Sequence, residues 1–221
     1  MKRIAIIGGG AAGFMAAITC KEQDPKATVV ILEKSDKILS KVKISGGGRC
    51  NVTNACFSIS ELCKNYPRGG KKLKKSFGHF YTKDTVEWFE KRGVHLHTEK
   101  DNRMFPITNK SQTIINCLQS EIKRLGIRLS LKSLVSKIII ENDEFTIIVN
   151  QEAISFDKLI ISCGGSPKIN GLKWLQVLGY AVEDPVPSLF TFNMPKEPIK
   201  ELMGVVAQNV SIKIQGSKQK Q

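Results

Sequence analysis

The chain has 221 residues, of which 41% are hydrophobic and 24% are charged, and this balance excludes both a disordered chain and a low-complexity one. No stretch of the sequence approaches the roughly 20 consecutive apolar residues that a membrane-spanning helix needs, so a membrane protein is not predicted. The formal net charge of +14 suits a nucleic acid, an anionic lipid or a phosphate-bearing ligand, and equally a lysine-rich solvated surface.

The N-terminal segment predicts a βαβ unit. Residues 3–7 (RIAII) are β-branched and apolar, as in a strand buried on both faces of a parallel sheet. A glycine turn follows at residues 8–13, residues 11–22 predict a helix, and residues 27–34 (ATVVILEK) predict a second buried strand. Strand, glycine turn, helix and strand within about thirty residues are typical of a dinucleotide-binding fold.

The glycine turn has the pattern Gly-x-Gly-x-x-Gly from residue 8 to residue 13, and Glu33 ends the second strand. In this context Gly8 allows the tight turn, Gly10 lets a pyrophosphate approach the backbone, and Gly13 lets helix and strand pack closely. The pyrophosphate would meet free amides at the positive end of the helix dipole, and Glu33 would accept hydrogen bonds from a ribose diol. The motif predicts the ADP half of FAD or NAD; the alternative is a glycine turn used only for packing.

A second glycine triplet lies within residues 38–54 (ILSKVKISGGGRCNVTN), here called the second glycine segment. In a simple dehydrogenase a helix would follow the second strand promptly, whereas this chain inserts a glycine-rich stretch. Such a stretch would lie along the bound dinucleotide and let the main chain approach the ribityl chain and flavin ring, while Arg49 or Asn51 offers donors. The second glycine segment therefore favours FAD over NAD.

After a polar region, helical periodicity predicts two amphipathic helices, over residues 82–94 and residues 111–126. The pattern then changes to β-branched runs at residues 127–131, 134–141 and 144–150. These three runs predict an antiparallel meander.

The last quarter of the chain is more irregular. Residues 158–165 (KLIISCGG) predict a strand that ends in glycines, and residues 171–179 predict a short helix. Prolines between residues 185 and 198 indicate a linker, and residues 205–221 alternate like one strand before a polar tail.

The cysteines and histidines form no metal or disulfide pattern. None of the six cysteines makes a CxxC pair or a Cys/His cluster at zinc-finger spacing, which favours reduced thiols in a cytoplasmic protein. His79, His95 and His97 lack nearby cysteine or carboxylate ligands in the sequence, so no metal site is predicted. Cys50 is a candidate redox thiol beside the second triplet, without a partner at CxxC spacing.

The densest basic run is residues 68–75 (RGGKKLKK), with Tyr66 and Phe77 as its aromatic neighbours. Proteins that bind single-stranded nucleic acid interleave basic and aromatic residues more extensively than this run does. A solvated surface is therefore the favoured interpretation, and nucleic acid is a partner that the run allows without favouring it.

Three stretches carry a family resemblance. IAIIGGGAAGFMAA (residues 4–17), the acid-tipped strand VVILEK (residues 29–34) and KISGGGRCNVTN (residues 43–54) together resemble the HI0933-like (YhiN/BaiN-type) family of bacterial flavoproteins, within the glutathione-reductase-like class of FAD folds. Weaker similarities follow at RMFP (residues 103–106), KLIISCGG and PVPSLFTF (residues 185–192).

The resemblance implies an α/β FAD-binding fold, with a Rossmann-type βαβ unit and a β-meander, over residues 1–190. It implies that residues 191–221 begin an inserted β-rich domain, so that the rest of this domain and the C-terminal return to the FAD fold are expected to be missing. The loop after residue 165 also lacks the acidic residue that the family carries there.

The implied activity is that of an oxidoreductase in which hydride passes from NAD(P)H through the flavin to a small organic acceptor. Arg49 would stabilise negative charge near the ring or the substrate, and no catalytic residue is assigned. Two alternatives stay open: a catalytically inactive dinucleotide-binding protein, and an FAD-dependent protein that modifies or binds RNA. The oligomeric state is not predicted. The candidate cofactor-binding residues are Gly8, Gly10, Ala11, Ala12, Gly13, Glu33, Lys34, Gly46, Gly47, Gly48, Arg49, Cys50, Asn51, Gly164 and Gly165.

Overall fold

The computed structural model describes residues 1–142, 144–166, 168–186 and 193–202, with positions 205, 210, 211, 213, 215 and 216 beyond them. The strands are β1 (Arg3–Ile7), β2 (Thr28–Leu32), β3 (Thr53–Asn54), β4 (Leu96–Thr98), β5 (Arg103–Pro106), β6 (Arg128–Ser130), β7 (Val135–Glu141), β8 (Glu144–Val149), β9 (Glu152–Phe156) and β10 (Lys158–Ile161). The α-helices are α1 (Ala11–Gln23), α2 (Ser40–Ile44), α3 (Ile59–Lys64), α4 (Gly70–Phe77), α5 (Thr82–Glu90), α6 (Ser111–Arg124) and α7 (Lys173–Val177).

A parallel sheet in the order β10-β1-β2-β6 organises the first part of the chain. Its central strands are nearly continuous apolar runs because both faces of the sheet are covered. Ile4 and Ile6 of β1 pack in one core cluster with α1 and α6, whereas Ala5 packs in a second cluster with β8 and β9. The alternation of side chains along β1 thus sends successive residues to two different cores.

The observed meander does not consist of the three strands that the sequence predicts. Residues 127–131 do not belong to it: β6 pairs in parallel with β2 and is the fourth strand of the main sheet. The reason is the connection, because β6 follows α6 and so completes a crossover that returns to the same sheet. The pattern of β-branched residues alone cannot distinguish a parallel from an antiparallel strand.

The third strand of the meander is β9 (EAISF), which was not identified from the sequence because it is short and Ile154 is its one β-branched residue. It pairs antiparallel with β8 across a tight turn in which Asn150 and Gln151 have φ angles of +50° and +74°. Positive φ at both central residues is the requirement of a type I′ hairpin turn. The antiparallel meander is therefore β7-β8-β9, over residues 135–156.

The stretch between the second glycine segment and α5 is not simply polar. It contains α3 and α4, which the sequence did not predict. A small antiparallel sheet in the order β3-β5-β4 joins the end of the second glycine segment to two strands that follow α5. The helix predicted over residues 82–94 is α5, and it begins with a capping box in which Asp84 accepts a hydrogen bond from the Tyr81 backbone N–H. The helix predicted over residues 111–126 is α6, which ends at Arg124.

Contacts divide the chain into two compact units, Met1–Gly165 and Ser166–Gln221. In the second unit, the short helix predicted at residues 171–179 is present as α7. The predictions of a linker and of a last strand fall largely outside the described residues. The expected boundary at residue 190 likewise stays a prediction, since residues 187–192 are not described.

Among the described residues, every helix is too short or too polar to cross a lipid bilayer. The structure leaves all six cysteines as free thiols.

The packing of the first core cluster leads to a prediction about the stability of a variant. Phe14 is fully buried beneath the sheet, so Phe14→Ala is expected to lower the free energy of unfolding by about 3–5 kcal/mol through lost burial and a residual cavity. Ile140→Ala, at a side chain that is 50% exposed on the meander, is the control and should change it by less than about 1 kcal/mol. Urea unfolding followed by circular dichroism measures both, and equal midpoints for the two variants would contradict this packing.

Candidate dinucleotide site

The first glycine turn is closed by its own packing. Gly8 has a φ of +114°, and a Cβ built on it would lie 2.5 Å from the backbone oxygen of Ser162, just after β10. A Cβ on Gly13 would lie 1.9 Å from the carbonyl oxygen of Gly8. Both positions therefore exclude any side chain, and they bring the start of α1 against the ends of β1 and β10.

Gly10 differs, because nothing among the described residues comes within 4 Å of a Cβ built on it. It is the N-cap of α1, has no side chain to cap the helix, and its carbonyl accepts the first helical hydrogen bond, from the Phe14 N–H at 3.0 Å. The amides of Ala11 and Ala12 belong to the first turn, where backbone N–H groups have no acceptor within the helix. This end of α1 combines open space, free donors and the positive pole of the helix dipole, which suits a diphosphate.

Glu33 lies beside the same turn at the end of β2. Its Oε2 accepts a hydrogen bond from the Gly9 N–H at 2.8 Å, and its Oε1 accepts from the backbone N–H and the hydroxyl of Ser35, each at 2.9 Å. Burial raises the pKa of Glu33, but these hydrogen bonds and the nearby charge of Lys34 together outweigh it, so the pKa is lowered. A carboxylate has about four lone-pair positions, so one remains for a ribose hydroxyl.

The glycine triplet of the second glycine segment has a left-handed backbone. Gly46, Gly47 and Gly48 have φ angles of +56°, +68° and +85°, a region that only glycine adopts without strain. A Cβ on Gly46 would lie 2.7 Å from the Phe105 ring, whereas the positions on Gly47 and Gly48 meet no described atom within 4 Å. One glycine is therefore required by packing, and two present bare backbone to open space.

Arg49 is held in place by the RMFP strand, β5, and its neighbours. Its Nη1 donates to Glu99 Oε1 at 2.5 Å, and its guanidinium lies 4.0 Å from the centre of the Phe105 ring. Arg103 also pairs with Glu99, at 3.2 Å. The hydrogen bond and charge of Arg49 lower the pKa of Glu99 despite the opposing effect of burial. The guanidinium is thus oriented before any ligand arrives, and it keeps further N–H groups to donate.

Cys50 does not have the surroundings of a reactive thiol. It is 6% exposed, belongs to the first core cluster, and has a φ of +66°. Burial raises its pKa, and a hydrogen bond with Ser45 offsets this only in part. A thiol that is protonated and buried is a poor nucleophile, so a redox role gains no support.

The two glycine segments are joined directly. The Leu39 N–H donates to the Gly9 carbonyl at 2.9 Å, and buried Leu39 packs in the same cluster as Phe14 and Cys50. The second glycine segment also approaches the end of β10, since a Cβ built on Gly164 would lie 3.7 Å from Lys41 Nζ of α2. The segments therefore meet at the carboxyl edge of the parallel sheet, where ligands of open α/β sheets bind.

The remaining candidates occupy more exposed positions. Lys34, Asn51, Gly164 and Gly165 are all exposed, and Gly164 has a φ of +76°. None of these four makes a hydrogen bond that identifies a binding role, so their assignment stays a prediction.

Three residues that matter here escaped the sequence analysis. Leu39 has a φ of +52°, and no sequence pattern predicts a positive φ at a leucine. The Ser162 hydroxyl donates towards the carbonyls of Ile7 and Gly8 at 3.0 and 3.2 Å, and its signal was its position before the Cys-Gly-Gly end of a predicted strand. Glu99 had no sequence signal, because its partners Arg49 and Arg103 meet it only in the fold.

A cavity of about 680 Å³ lies elsewhere, lined by α6 and the end of α5. Its charged residues are already paired, with Glu121 at 3.0 Å from Arg92 and 2.7 Å from Arg124. It shares no residue with the glycine segments, and its volume alone does not make it the site.

A parallel sheet whose first strand turns through glycines into a helix, with a meander on its other face, defines a Rossmann-type α/β protein and confirms the predicted fold class. The chain belongs to the HI0933-like family: the family model described as the HI0933-like protein Rossmann domain matches residues 2–214.

Among curated relatives, the chain is 28% identical over 211 residues to a 3-dehydro-bile acid delta(4,6)-reductase of Clostridium scindens, which covers 93% of this chain and 51% of the relative. It is 26% identical over 203 residues to a ribosomal RNA dihydrouridine synthase of Escherichia coli, covering 89% of this chain and 49% of the relative. The chain thus spans about half the length of the curated relatives it matches.

Solved structures share the fold at lower identity. A flavocytochrome c3 fumarate reductase in an open conformation matches with a TM-score of 0.57 and 20% identity, over 77% of this chain and 35% of the other. A variant of the E. coli quinol fumarate reductase FrdA matches with a TM-score of 0.58 and 16% identity, over 76% of this chain and 34% of the other.

The contrast between closed and open glycines leads to a paired prediction. Gly13→Ala should lower the free energy of unfolding by at least about 2 kcal/mol, because the new Cβ would meet the Gly8 carbonyl at 1.9 Å. Gly10→Ala should leave stability within about 0.5 kcal/mol but weaken FAD binding at least about tenfold, since its methyl group fills the approach to the helix amides. Urea unfolding and a flavin fluorescence titration separate the two effects, and a stable Gly13→Ala variant would contradict the packing.

The hydrogen bonds of Glu33 predict a pH dependence of stability. A lowered folded-state pKa means that this carboxylate stabilises the fold above the pKa of the unfolded chain and loses that contribution as pH falls through the folded pKa. The unfolding free energy of the native protein minus that of Glu33→Gln should therefore be positive at pH 7 and shrink below about pH 4.5. Urea unfolding between pH 3.5 and 7 measures it, and a difference that grows towards acid pH would reverse the assignment.

Proposed function

We propose that this chain forms the FAD-binding part of a flavin-dependent reductase. The observation that carries the proposal is the joint between the two glycine segments, made by the Leu39–Gly9 hydrogen bond at 2.9 Å. It holds the second glycine segment, which carries the bare backbone of Gly47 and Gly48, against the first glycine turn, which carries the open helix end at Gly10. An elongated dinucleotide needs that combination, whereas a packing turn needs no open glycine.

In this proposal, each group of the cofactor has a matching part of the chain. The first turn of α1, with Ala11 and Ala12, binds the pyrophosphate through its amides. Glu33 binds the ribose diol with its remaining lone pair, and its negative charge disfavours a 2′-phosphate at that position. Gly47 and Gly48 let the backbone approach the ribityl chain and the flavin.

When bound, FAD would supply the hydride-transfer chemistry between NAD(P)H and the acceptor. Arg49, oriented by Glu99 and Phe105, would stabilise negative charge that develops on the ring or on a carbonyl oxygen of the acceptor. The segment around Cys50 excludes water on its core side, since Cys50 is buried.

The names of two relatives suggest the acceptor. A delta(4,6)-reductase of 3-dehydro bile acids and a dihydrouridine synthase both saturate a carbon–carbon double bond in a ring that carries a carbonyl group. Both reactions build negative charge on that carbonyl as hydride arrives. A small cyclic enone is our first candidate substrate, and a uracil base in RNA is the second, which the net charge of +14 favours.

The proposal is tested with purified protein incubated with FAD and then separated from free flavin. We expect retained absorbance near 450 nm in the native protein and loss of most of it in Gly10→Val, with an unchanged unfolding curve. NADH or NADPH consumption is then measured with a steroid 3-oxo-4-ene and with uridine-containing RNA as acceptors. Flavin retention without turnover would favour the inactive dinucleotide-binding protein. A folded protein that retains no FAD would contradict the proposal.

A further inference from the structure

Residues 57–80, here called the basic hairpin, form a second surface outside the glycine segments. Helices α3 and α4 lie side by side within it, and a Cβ built on buried Gly70 would lie 2.5 Å from the Cys63 carbonyl oxygen. The Tyr66 and Phe77 rings pack across the connection with their centres 5.6 Å apart. The close approach and the ring pair hold the two helices in one arrangement.

The basic hairpin concentrates positive charge on its outer side. Its six basic residues fall within twelve positions and are all exposed: Lys64, Arg68, Lys71, Lys72, Lys74 and Lys75. Glu61 is the one acidic residue in the sequence of the hairpin. Among the described residues, Lys64 is the one member of this set that is ion-paired, to Glu61 at 2.7 Å. The positive charge of the hairpin is therefore largely uncompensated by the protein.

Repulsion among these positive charges destabilises the protein when no ligand is bound. Lys71 lies three and four residues before Lys74 and Lys75 on α4, and like charges at these spacings repel each other on a helix. On a surface that only contacts solvent, such a cluster contributes no stability. A polyanion that binds it relieves the repulsion, which is the physical reason to look for one.

Exposed aromatic rings stand beside the charges. Phe57 precedes α3 and is 51% exposed, Tyr66 lies between the helices and is 42% exposed, and Phe80 follows α4 and is 44% exposed. The sequence alone shows Tyr66 and Phe77 as neighbours of the basic run, but it does not show which aromatic rings are exposed. Rings flanked by cations offer faces on which unpaired bases stack.

The same features argue against an anionic membrane as the partner. A helix that lies in a membrane interface exposes an apolar stripe opposite its charges. On α4, Leu73 and Phe77 are partly buried against the hairpin, and Gly70 is fully buried, so the apolar side is already in use. The exposed rings are separate and stand at helix ends.

We propose that the basic hairpin binds single-stranded segments of RNA, its lysines and arginine contacting phosphates and Phe57 and Phe80 stacking on bases. The proposal rests on the second of the two candidate substrates above, RNA. Its place along the chain agrees with this, since two residues separate the hairpin from β3, the strand that ends the second glycine segment.

The test is binding of a fluorescein-labelled RNA of about 20 nucleotides, followed by anisotropy between 50 and 200 mM KCl. In one variant, four lysines of α4 are replaced by glutamine, which keeps helix propensity: Lys71→Gln, Lys72→Gln, Lys74→Gln and Lys75→Gln. If each contacts a phosphate, the slope of log affinity against log salt falls by about 3, and affinity at 100 mM KCl falls at least about tenfold.

The matched control removes four exposed lysines elsewhere: Lys26→Gln, Lys100→Gln, Lys123→Gln and Lys137→Gln. It changes the net charge equally and should alter affinity by less than about twofold. Equal losses in both variants would overturn the proposal, because they would indicate a diffuse charge effect. Absence of RNA binding by the native protein would overturn it too, as would hairpin-dependent binding only to phosphatidylserine vesicles.

A second variant isolates stacking. Phe57→Leu with Phe80→Leu keeps apolar side chains but removes the rings, and it should lower RNA affinity at least about fivefold without changing the salt slope. An unchanged affinity would remove the aromatic part of the proposal. FAD retention is measured on every variant and should be unchanged. RNA binding without FAD retention would then contradict the proposed reductase alone, and FAD retention without hairpin-dependent RNA binding would contradict the hairpin alone.

Discussion

Helix α1 starts so close to β1 that the Gly8 carbonyl oxygen occupies the space where residue 13 would carry a side chain, 1.9 Å from a built Cβ. This contact sets the position of α1 over the sheet, and with it the depth at which Phe14, Ala17 and Ile18 enter the first core cluster. It also aims the first turn of the helix at the carboxyl edge of the sheet. The site and the core thus share one close approach of main chain to main chain.

The glycines of the two segments divide into two kinds. Gly8, Gly13 and Gly46 each have neighbours that a side chain would strike, so packing within the protein explains them. Gly10, Gly47 and Gly48 face open space among the described residues, and packing does not explain them. The second kind is what a ligand-binding backbone requires, and it occurs in both segments. Membership of the HI0933-like family accords with this division without assigning a substrate.

Much of this architecture follows from local sequence rules. The βαβ unit was predictable because a β-branched run, a glycine turn, a helix and a second β-branched run occur in strict succession within residues 3–34. Strand β6 was assigned to the wrong sheet because pairing partners depend on chain direction in space, which the residue types of the short run from Ile127 do not encode. Strand β9 was missed because it is short, has one β-branched residue, and owes its position to pairing with β8 and to the two-residue turn before it. Leu39 and Glu99 act through contacts with residues distant in sequence, so no local pattern could reveal them.

The contact between Ser162 and the glycine turn constrains the order in which the chain can fold. Ser162, whose hydroxyl donates towards the Gly8 carbonyl at 3.2 Å, lies 154 residues later in the chain. The meander can fold from neighbouring residues as it leaves the ribosome, but the glycine turn is enclosed only when β10 inserts beside β1. A nascent chain shorter than about 160 residues therefore carries the glycine motif without its enclosure. The proposed phosphate site thus forms after β10 has paired with β1.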